Sequence, residues 1–463
     1  MMSADRKGSV RPRIARRAAR LYHSRLMWLL LDCVYIAAAM ACLPLLAYQR
    51  FVLGKRRGGW KQRLGHLPLR PGTKPSVWIH AVSLGETNAT RGIVEALRRD
   101  LPDHDVVIST TTDTGYARAV ELYPDLYVFR YPLDFSWAVR RAIRTVRPSV
   151  IVLMELEVWP NLVLLAERRG IPVVVANGRL TEERSMRRFR RPILRQVAHM
   201  VFRRLAWVGA QNQAYAERFL ELGVPRDRVH VTGVLKWDTA QIADTLPGTD
   251  TLRDAVGIRR PLWVFGQSGP GEEAVALAAF DLLRREFPDL QLAIIPRKPE
   301  RFEEVASRIA GSGRSWVRRS RCPDGTAAPG RAPDVILGDT MGELRKFYCL
   351  ADAVFVGRTL VPMGGSDVIE VAALAKPILV GPHTENFADA VAALAAAGGL
   401  EVCVTTVDAP DAAEQVAAVV RSVLSGGRGT AMGLAARRVV QENQGVTQRT
   451  VAALTKLVKC AQQ

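Results

Sequence analysis

The chain has 463 residues, of which 48% are hydrophobic and 7% aromatic, which is typical of two or three globular domains and argues against a disordered protein. Its 65 Lys and Arg outnumber 45 Asp and Glu, and the formal net charge of +20 indicates an anionic partner: nucleic acid, anionic lipid or a phosphorylated substrate. Six scattered Cys without a C-x-x-C and seven dispersed His argue against a disulfide framework and a zinc site.

The first element in chain order is an apolar segment at residues 26–48, LMWLLLDCVYIAAAMACLPLLAY, which is long enough to cross a bilayer. Basic residues flank it on both sides and leave its orientation open: Arg16, Arg17, Arg20 and Arg25 before it, Lys55, Arg56 and Arg57 after it. We expect residues 1–54 to form an uncleaved membrane anchor, which either spans the bilayer once or lies as a re-entrant or interfacial helix. The alternative is a buried core helix, which the length and the Arg clusters make less suitable.

Strand-like runs and helical patterns then alternate in two halves, residues 55–237 and residues 259–463. The runs are SVWIHA, DVVISTTT, SVIVLME, IPVVVAN, WVGAQN and RVHVTGV in the first half, and PLWVFGQS, LQLAIIPR, DVILGDT, AVFVG, PILVGP and LEVCVT in the second. This alternation predicts βαβ units, and therefore an α/β protein with two Rossmann-like, doubly wound parallel sheets behind the N-terminal helix. We expect residues 238–258 to be a linker with one short helix, and a C-terminal helix from about Met432 to pack across both halves.

Two motifs of the first half place carboxylates at strand ends, where ligands of such sheets bind. Ser83 and Glu86 in HAVSLGET have capping-box spacing, so Glu86 either reaches back to the Ser83 N–H or acts as a general base. Glu155 and Glu157 end the apolar run of IVLMELEVWPN. Buried unpaired charges are costly, so this pair either forms internal ion pairs or marks a site.

Two further motifs of the first half also have alternative interpretations. In TTTDTGYARA, hydroxyls before a helix form either an anion or sugar cradle or an ordinary N-cap by Thr112 or Thr114. In GVLKWD, Lys236 either pairs with Asp238 or stabilises the negative charge of a leaving group.

The second half has strand-to-helix junctions suited to a nucleotide phosphate: GQSGPGEE, IPRKPERF, GDTMGEL and MGGSDVIEVAALAKP. They supply backbone N–H groups, helix N-termini and Arg297. Thr340 and Glu343 repeat the capping-box spacing, which gives Glu343 a structural alternative. Because no P-loop or G-x-G-x-x-G is suitably placed, a nucleotide would be held without either.

The basic stretch at residues 184–207, RSMRRFRRPILRQVAHMVFRRLAW, has a partly amphipathic helical pattern. A solvated face is the default interpretation of such a charge run. Because a membrane segment precedes it, docking on anionic lipid is favoured. Only Phe189, Phe202 and Trp207 are interleaved, so we do not expect nucleic acid as a partner.

Eight motifs in order resemble the Kdo (3-deoxy-D-manno-octulosonic acid) transferases: HAVSLGE, TTTDTG, MELEVWPN, NGRLTEERS, VTGVLKWD, PRKPERF, GDTMGEL and GPHTENF. The resemblance runs from the membrane segment to near the C-terminus. It implies a GT-B-fold glycosyltransferase at the inner membrane, with its catalytic domains on the cytoplasmic side. Such an enzyme moves Kdo from CMP-Kdo to a lipid A precursor, lipid IVA, in lipopolysaccharide core synthesis, without a metal or other cofactor.

The resemblance also implies roles for individual residues. Glu86 corresponds to the proton acceptor, Glu155 and Lys236 to transition-state stabilisers, and Glu157 to a structural neighbour. The CMP-binding positions fall on Pro296, Arg297, Met341, Gly342, Glu343, Asp367, Val368, Ile369 and Glu370.

Departures from the family pattern lie in the second half. The chain has GGSDVIE for the usual Gly-Gly-His-Asn-Pro-Leu-Glu, SGPGEE for Thr-His-Glu-Gly-Glu-Glu, PRKPER for Pro-Arg-His-Pro-Glu-Arg, and FVGRTLV where a Gly-Gly-Ser run is expected. Two alternatives therefore stay open. One is a GT-B-fold transferase or epimerase with another nucleotide sugar; the other is an inactive lipid-binding homologue, against which Glu86, Glu155 and Lys236 argue.

Overall fold

The computed structural model describes residues 11–52, 58–259, 261–325 and 330–462, so the predicted basic flank at Lys55, Arg56 and Arg57 lies outside the described residues. The chain forms two compact units. Unit 1 comprises Met1–Thr239 and Gly445–Gln463, and unit 2 comprises Ala240–Gln444.

Unit 1 is built on a parallel sheet. Its strands are β1 (Ser76–His80), β2 (Asp105–Thr110), β3 (Tyr127–Arg130), β4 (Pro148–Met154), β5 (Val173–Gly178), β6 (Trp207–Ala210) and β7 (Val229–Val231). Their spatial order is β3-β2-β1-β4-β5-β6-β7. The chain therefore changes direction across the sheet between β1 and β4, and the carboxyl ends at such a switch point are where ligands of open α/β sheets bind.

Helices cover both faces of this sheet. They are α1 (Arg11–Phe51), α2 (Trp60–Arg63), α3 (Leu84–Ala89), α4 (Arg91–Asp100), α5 (Asp113–Leu122), α6 (Ser136–Val146), α7 (Pro160–Arg168), α8 (Arg187–Phe189), α9 (Pro192–Phe202) and α10 (Gln213–Glu221). Successive strand residues enter opposite cores: Trp78 and Ile151 pack on one face, and Ile79 and Val152 on the other. Two buried faces explain why these strands are continuous apolar runs.

Unit 2 repeats the architecture. Its strands are β8 (Leu262–Ser268), β9 (Gln291–Pro296), β10 (Trp316–Arg318), β11 (Val335–Leu337), β12 (Ala353–Val356), β13 (Ile378–Val380) and β14 (Leu400–Val402). Its helices are α11 (Thr249–Val256), α12 (Glu272–Leu283), α13 (Phe302–Gly311), α14 (Leu344–Leu350), α15 (Ile369–Ala373), α16 (Ala388–Ala396), α17 (Ala412–Leu424) and α18 (Arg428–Asn443). The order β10-β11-β9-β8-β12-β13-β14 places the switch point between β8 and β12.

The predicted pair of doubly wound parallel sheets is confirmed, with two strands that the sequence patterns did not indicate. These are β3 and β10, which lie at sheet edges. Both are largely half-buried and mix apolar with charged residues, so neither forms the long apolar run of a central strand. The predicted helical stretch 184–207 is divided into α8 and α9, because Pro192 starts a new helix.

The unit boundaries differ from the predicted domain ranges. Residues from Ala240, including α11, belong to unit 2 rather than to a linker, and the last helix, α19 (Val446–Gln462), belongs to unit 1 rather than to the predicted second domain of 259–463. Asp238 accepts hydrogen bonds from the N–H groups of Gly445 (2.8 Å) and Thr447 at the start of α19. The predicted C-terminal helix is in fact two helices, α18 and α19, one in each unit.

The predicted apolar segment lies within α1. Its stretch Trp28–Leu45 is long and apolar enough to cross a membrane. Leu30, Val34 and Met40 expose more than half of their surface. Trp28 and Asp32, in contrast, are buried against other parts of unit 1.

Candidate active site

Glu86 lies in the first turn of α3, just after the carboxyl end of β1. The backbone N–H of Glu86 donates to Ser83 Oγ (3.3 Å), which caps the helix. The Glu86 carboxylate accepts from the Val82 N–H (2.9 Å) and from the Ser83 hydroxyl (2.9 Å). The predicted capping box therefore forms with Val82 in place of the Ser83 N–H. Burial raises the pKa of Glu86, although these hydrogen bonds oppose the shift, so the carboxylate has a pKa closer to neutrality than an exposed one.

The TTTDTG motif holds the loop that precedes Glu86. Thr112 Oγ1 accepts from the Gly115 N–H (3.0 Å) and donates to the Val82 carbonyl (2.9 Å), so the N-capping alternative is confirmed for Thr112. A Cβ at Gly115 would lie 2.8 Å from Thr112 Oγ1 and 3.0 Å from the Val82 carbonyl oxygen. Glycine is therefore needed where α5 approaches this loop.

Glu155 and Glu157 lie in the loop between β4 and α7. Glu155 has a φ of 56°, in the left-handed region that is unusual for its residue type, and its N–H donates to the Ala176 carbonyl (3.0 Å). Glu157 accepts a hydrogen bond from Trp159 Nε1 (3.0 Å). The loop is thus fixed by the backbone of β5 at one end and by an aromatic side chain at the other.

Three carboxylates form one cluster beside the β1–β4 switch point. Burial and the negative charges of Glu86 and Glu157 raise the pKa of Glu155 to about 7, against the opposing charge of Arg179. Burial and the charge of Glu86 also raise the pKa of Glu157. Because the charge of Glu86 acts on both, the three carboxylates lie within electrostatic range of one another, and their role as a site stays a prediction.

Lys236 lies in a 3₁₀ turn, Leu235–Thr239, which follows β7 and contacts α3. The turn is held by Asn177 at the end of β5, whose Oδ1 accepts from the Leu235 N–H (3.1 Å). Asn177 has a φ of 55°, which Asn tolerates better than most residues. Asn177 was not singled out from the sequence, although it lies in the NGRLTEERS motif. Asp238 in the same turn binds the start of α19.

His80, at the end of β1, is a structural residue and not a second base. Its ring is fully buried and stacks on Tyr131 with centroids 3.9 Å apart. Nδ1 lies 3.1 Å from the Ser109 carbonyl oxygen. Burial lowers the pKa of His80 to about 3, so the imidazole is neutral at physiological pH.

The predicted donor residues of unit 2 come from different strand ends but share an environment. Arg297 follows β9, and its N–H donates to the Ser268 carbonyl at the end of β8 (3.2 Å). Asp367 accepts from the Ile369 N–H (2.9 Å) before α15, which carries Glu370. Burial and the charges of Glu370 and Asp367 raise the pKa of Tyr348, whereas Arg297 lowers it. The charges of Arg297, Asp367 and Glu370 therefore all act on one buried phenol.

Not every predicted donor residue can offer its side chain. Val368 and Ile369 are buried in the core, so only their backbone is available to a ligand. Pro296 is also buried at the end of β9. Met341 is 74% exposed, and the adjacent Gly342 has a φ of 86°.

Glu343 is occupied by an ion pair. Its carboxylate accepts from Arg319 Nε (2.8 Å) and Nη2 (3.0 Å) and from the Thr340 hydroxyl. Hydrogen bonding from Arg319 lowers the pKa of Glu343 to about 2. The predicted capping box is wrong in its geometry, because Glu343 itself occupies the N-cap of α14. Its carboxylate joins Thr340, in the loop between β11 and α14, to Arg319.

Two buried carboxylates of unit 2, Glu272 and Glu273, were not singled out from the sequence. They stabilise the segments in which the sequence differs from the family pattern. Glu272 accepts hydrogen bonds at 2.6 to 2.9 Å from the N–H groups of Gly269, Arg358, Thr359 and Leu360. It thereby joins SGPGEE to FVGRTLV. Glu273 is paired with Arg301 (2.7 Å) and accepts from the Ser268 hydroxyl (2.6 Å). The feature of the sequence that could have indicated these two residues is the pair of adjacent glutamates shortly after a strand.

Within the described residues, no group of three or more His, Cys, Asp or Glu is arranged to hold a metal ion. Metal independence stays a prediction.

Comparisons with known proteins decide the family. A sequence profile described as 3-deoxy-D-manno-octulosonic-acid transferase (kdotransferase) matches residues 58–239. A 3-deoxy-D-manno-octulosonic acid transferase of Haemophilus influenzae is 32% identical over 424 residues, which cover 90% of this chain and 96% of that protein. The chain belongs to the Kdo transferase family. A second Kdo transferase, of Bordetella pertussis, is 34% identical over 439 residues, covering 91% of this chain and 98% of that protein.

A solved structure agrees on the fold. MurG of Acinetobacter baumannii is 15% identical, covers 83% of this chain and 100% of its own, and has a TM-score of 0.53. At this identity the likeness shows the fold alone, which is the predicted GT-B class. The predicted Kdo transferase family, and with it a glycosyltransferase, is confirmed by the relatives.

Proposed function

We propose that the chain transfers Kdo from CMP-Kdo to a lipid A precursor, lipid IVA, and that the reacting hydroxyl binds at the carboxyl ends of β1 and β4. The observation that carries this proposal is the cluster of Glu86, Glu155 and Glu157 at the switch point of unit 1, in a member of the Kdo transferase family. A switch-point cluster with raised pKa values is the arrangement expected of proton-transfer chemistry.

In the proposed reaction, Glu86 takes the proton of an acceptor hydroxyl while the hydroxyl oxygen attacks the anomeric carbon of Kdo. The bond from oxygen to the anomeric carbon forms, and the bond from that carbon to the CMP phosphate breaks. CMP leaves with the electron pair. Burial supports this role for Glu86, because a base works best when its pKa is near the working pH.

Glu155 and Lys236 are proposed to stabilise the charges that are present or develop during this step. With a pKa of about 7, Glu155 is partly protonated at neutral pH, which limits repulsion between the cluster and an anionic donor. Its protonated form can also donate a hydrogen bond. Lys236, in the turn beside α3, supplies positive charge to the developing negative charge.

The donor half retains groups that suit CMP despite its departures. Arg297 can make charge-assisted hydrogen bonds to phosphate, each worth about 1.5–3 kcal/mol. Glu370 and the backbone at residues 341–343 complete the proposed site. Lys298 and Arg358 replace family residues with cations, which keeps the site suited to an anionic donor.

The acceptor and the membrane surface are proposed to meet a basic face on α8 and α9. Arg187, Arg188, Arg191 and Arg195 are exposed there. Ile193, next to them in sequence, is 79% exposed, so the same segment presents an apolar side chain as well as cations. This combination fits an anionic bilayer interface and a lipid bisphosphate, on the cytoplasmic side of the inner membrane.

Mass spectrometry of the product tests the proposal against its two alternatives. Purified protein is incubated with CMP-Kdo and a tetraacylated disaccharide bisphosphate. We expect the lipid to gain the mass of Kdo. A lipid that gains another sugar only from another nucleotide sugar would favour the alternative donor, and an unchanged lipid with every donor would favour an inactive lipid-binding homologue.

A further inference from the structure

α1 contacts the rest of unit 1 through one face of its apolar segment, which carries both polar and apolar side chains. The residues of this face occupy positions i, i+3, i+4 and i+7, which places them on one side of the helix. They are Trp28, Leu31, Asp32 and Tyr35. Leu29, Leu30 and Val34, on other sides, are 61%, 55% and 62% exposed. The docked face is therefore distinct from the apolar surface that a bilayer would cover.

Asp32 completes the start of another helix. Its Oδ1 accepts from the Ser136 N–H (2.8 Å), and its Oδ2 accepts from the Ser136 hydroxyl (2.6 Å). Ser136 begins α6, whose N-cap residue, Phe135, has no side-chain acceptor. A carboxylate at a helix N-terminus binds unpaired N–H groups and favours the helix dipole. Asp32 thus acts as a cap supplied from α1.

The same network reaches the start of α7. Asp32 Oδ1 also accepts from Asn161 Nδ2 (3.1 Å). Asp134 accepts from the N–H groups of Asn161 (2.8 Å) and Leu162 (2.9 Å), and the Tyr35 hydroxyl donates to Asp134 Oδ2 (3.0 Å). The N-cap of α7, Trp159, makes no side-chain cap. α1 therefore binds the first turn of α7 twice, directly and through Asp134.

Residues 155–159, which carry Glu155 and Glu157 and immediately precede α7, are called the carboxylate loop. Its first residue, Glu155, holds a φ of 56°, a conformation that persists only where the surroundings fix it. β5 fixes its start through Ala176, and the first turn of α7 fixes its end. A displacement of Asn161 would therefore change the positions of Glu155 and Glu157.

We propose that Asp32 is a positioning residue for the carboxylate loop, so that α1 is part of the active-site structure as well as a membrane anchor. Asp32 acts through Ser136 and Asn161 and does not touch substrate. The proposal rests on the proposed role of Glu155. It adds a structural role to the membrane anchor expected of residues 1–54.

Hydrogen–deuterium exchange on the full chain in detergent tests the positioning without any assumption about the reaction. In Asp32→Ala, we expect faster exchange in peptides covering residues 136–140 and 155–162, and unchanged exchange in unit 2. The control is Val34→Ala, an exposed position on the same helix. Ser136→Ala removes one of the three hydrogen bonds and should give the same pattern more weakly, which decides the matter if Asp32→Ala does not fold. Wild-type exchange at 155–162 in both variants would overturn the proposal.

Kinetics with detergent-dispersed substrates test the link to catalysis, because membrane attachment then does not limit the rate. We expect Asp32→Ala to lower kcat by about tenfold and Ser136→Ala to lower it less, since small misplacements of reacting groups are costly. The KM for the donor and the partition into vesicles should match those of Val34→Ala. An unchanged kcat with faster exchange at 155–162 would refute the coupling to the site.

The pH profile separates positioning from a general loss of structure. Glu86 and Glu157 raise the pKa of Glu155 and Arg179 lowers it, with burial the largest cause. A loosened loop exposes Glu155 to water, which lowers its pKa towards the ordinary value of a glutamate. The part of the kcat–pH profile that reflects the titration of Glu155 should therefore move to lower pH in the variants. If wild-type protein transfers no Kdo, the proposed function fails, whereas the exchange result still decides whether Asp32 positions the loop.

Discussion

Glu86 and Glu155 follow neighbouring strands, β1 and β4, and the charge of Glu86 helps to raise the pKa of Glu155 to about 7. Carboxylates that share a site cannot both ionise at their ordinary pKa. The pair therefore holds a proton near neutrality, and its titration belongs to the cluster rather than to one residue. In the proposed reaction, this coupling lets one glutamate, Glu86, act as a base while another, Glu155, in its protonated form donates a hydrogen bond.

The raised pKa of Glu155 predicts a pH-dependent stability. Between its ordinary value of 4.5 and about 7, the folded state binds more protons than the unfolded state. The free energy of unfolding therefore falls as pH rises through this window. Gln at position 155 does not titrate, so the Glu155→Gln variant should not lose this stability. Between pH 4.5 and pH 8, the difference in the free energy of unfolding between Glu155→Gln and wild type should shift by about 1–3 kcal/mol in favour of the variant. Denaturant unfolding at each pH measures this, with Glu95→Gln as an exposed control; equal pH dependence in both variants would contradict the assignment.

Asn177 is expected to act on catalysis through Lys236. Asn177→Gly keeps the freedom for a positive φ but removes the acceptor for the Leu235 N–H, which should cost roughly 1–3 kcal/mol. Part of this cost should appear as a lower kcat. In a Lys236→Ala background, the same change should lower kcat little further. Independent, additive losses in kcat would show that Asn177 does not act through Lys236.

α19 is expected to stabilise unit 1 despite its distance in sequence. Val446, Val451, Leu454 and Val458 are buried with the unit 1 core. Asp238→Ala should lower the free energy of unfolding by about 0.5–2 kcal/mol, as for other helix caps. Asp250→Ala, at an exposed acidic residue, is the control. Removal of residues 445–463 should destabilise unit 1; unchanged unfolding of unit 1 would contradict the unit boundary.

Arg297 and Glu370 are expected to be required for CMP binding. Arg297→Ala and Glu370→Ala should each raise the dissociation constant of CMP at least about tenfold, or 1.4 kcal/mol. Arg285→Ala, an exposed Arg in the same unit, is the control. Titration calorimetry with CMP and UDP measures both effects. Tighter binding of UDP, or no binding of CMP by wild type, would contradict CMP-Kdo as the donor.

The parts of the structure that the sequence predicts are those encoded in neighbouring residues. Central strands appear as apolar runs because both faces of each sheet are buried, and strand-end motifs locate Glu86, Glu155 and Lys236. The edge strands β3 and β10 lack such runs. Hydrogen bonds between distant segments leave no local pattern: Asp238 binds Gly445 across 207 positions, and Asp32 binds Ser136 across 104. The unit boundary and the docking of α1 depend on these contacts.

The single-turnover rate of Kdo transfer by Glu86→Gln tests the central claim most directly. Gln keeps the size of the side chain and can still accept from Val82, but it cannot take a proton. We expect the rate to fall by about 10²–10⁴-fold, as for loss of a general base, with little change in unfolding. Ser83→Ala is the matched control: it should cost about 1 kcal/mol of stability as a lost cap but keep most of the rate. A near-normal rate in a stable Glu86→Gln protein would contradict the account and leave Glu86 a structural residue.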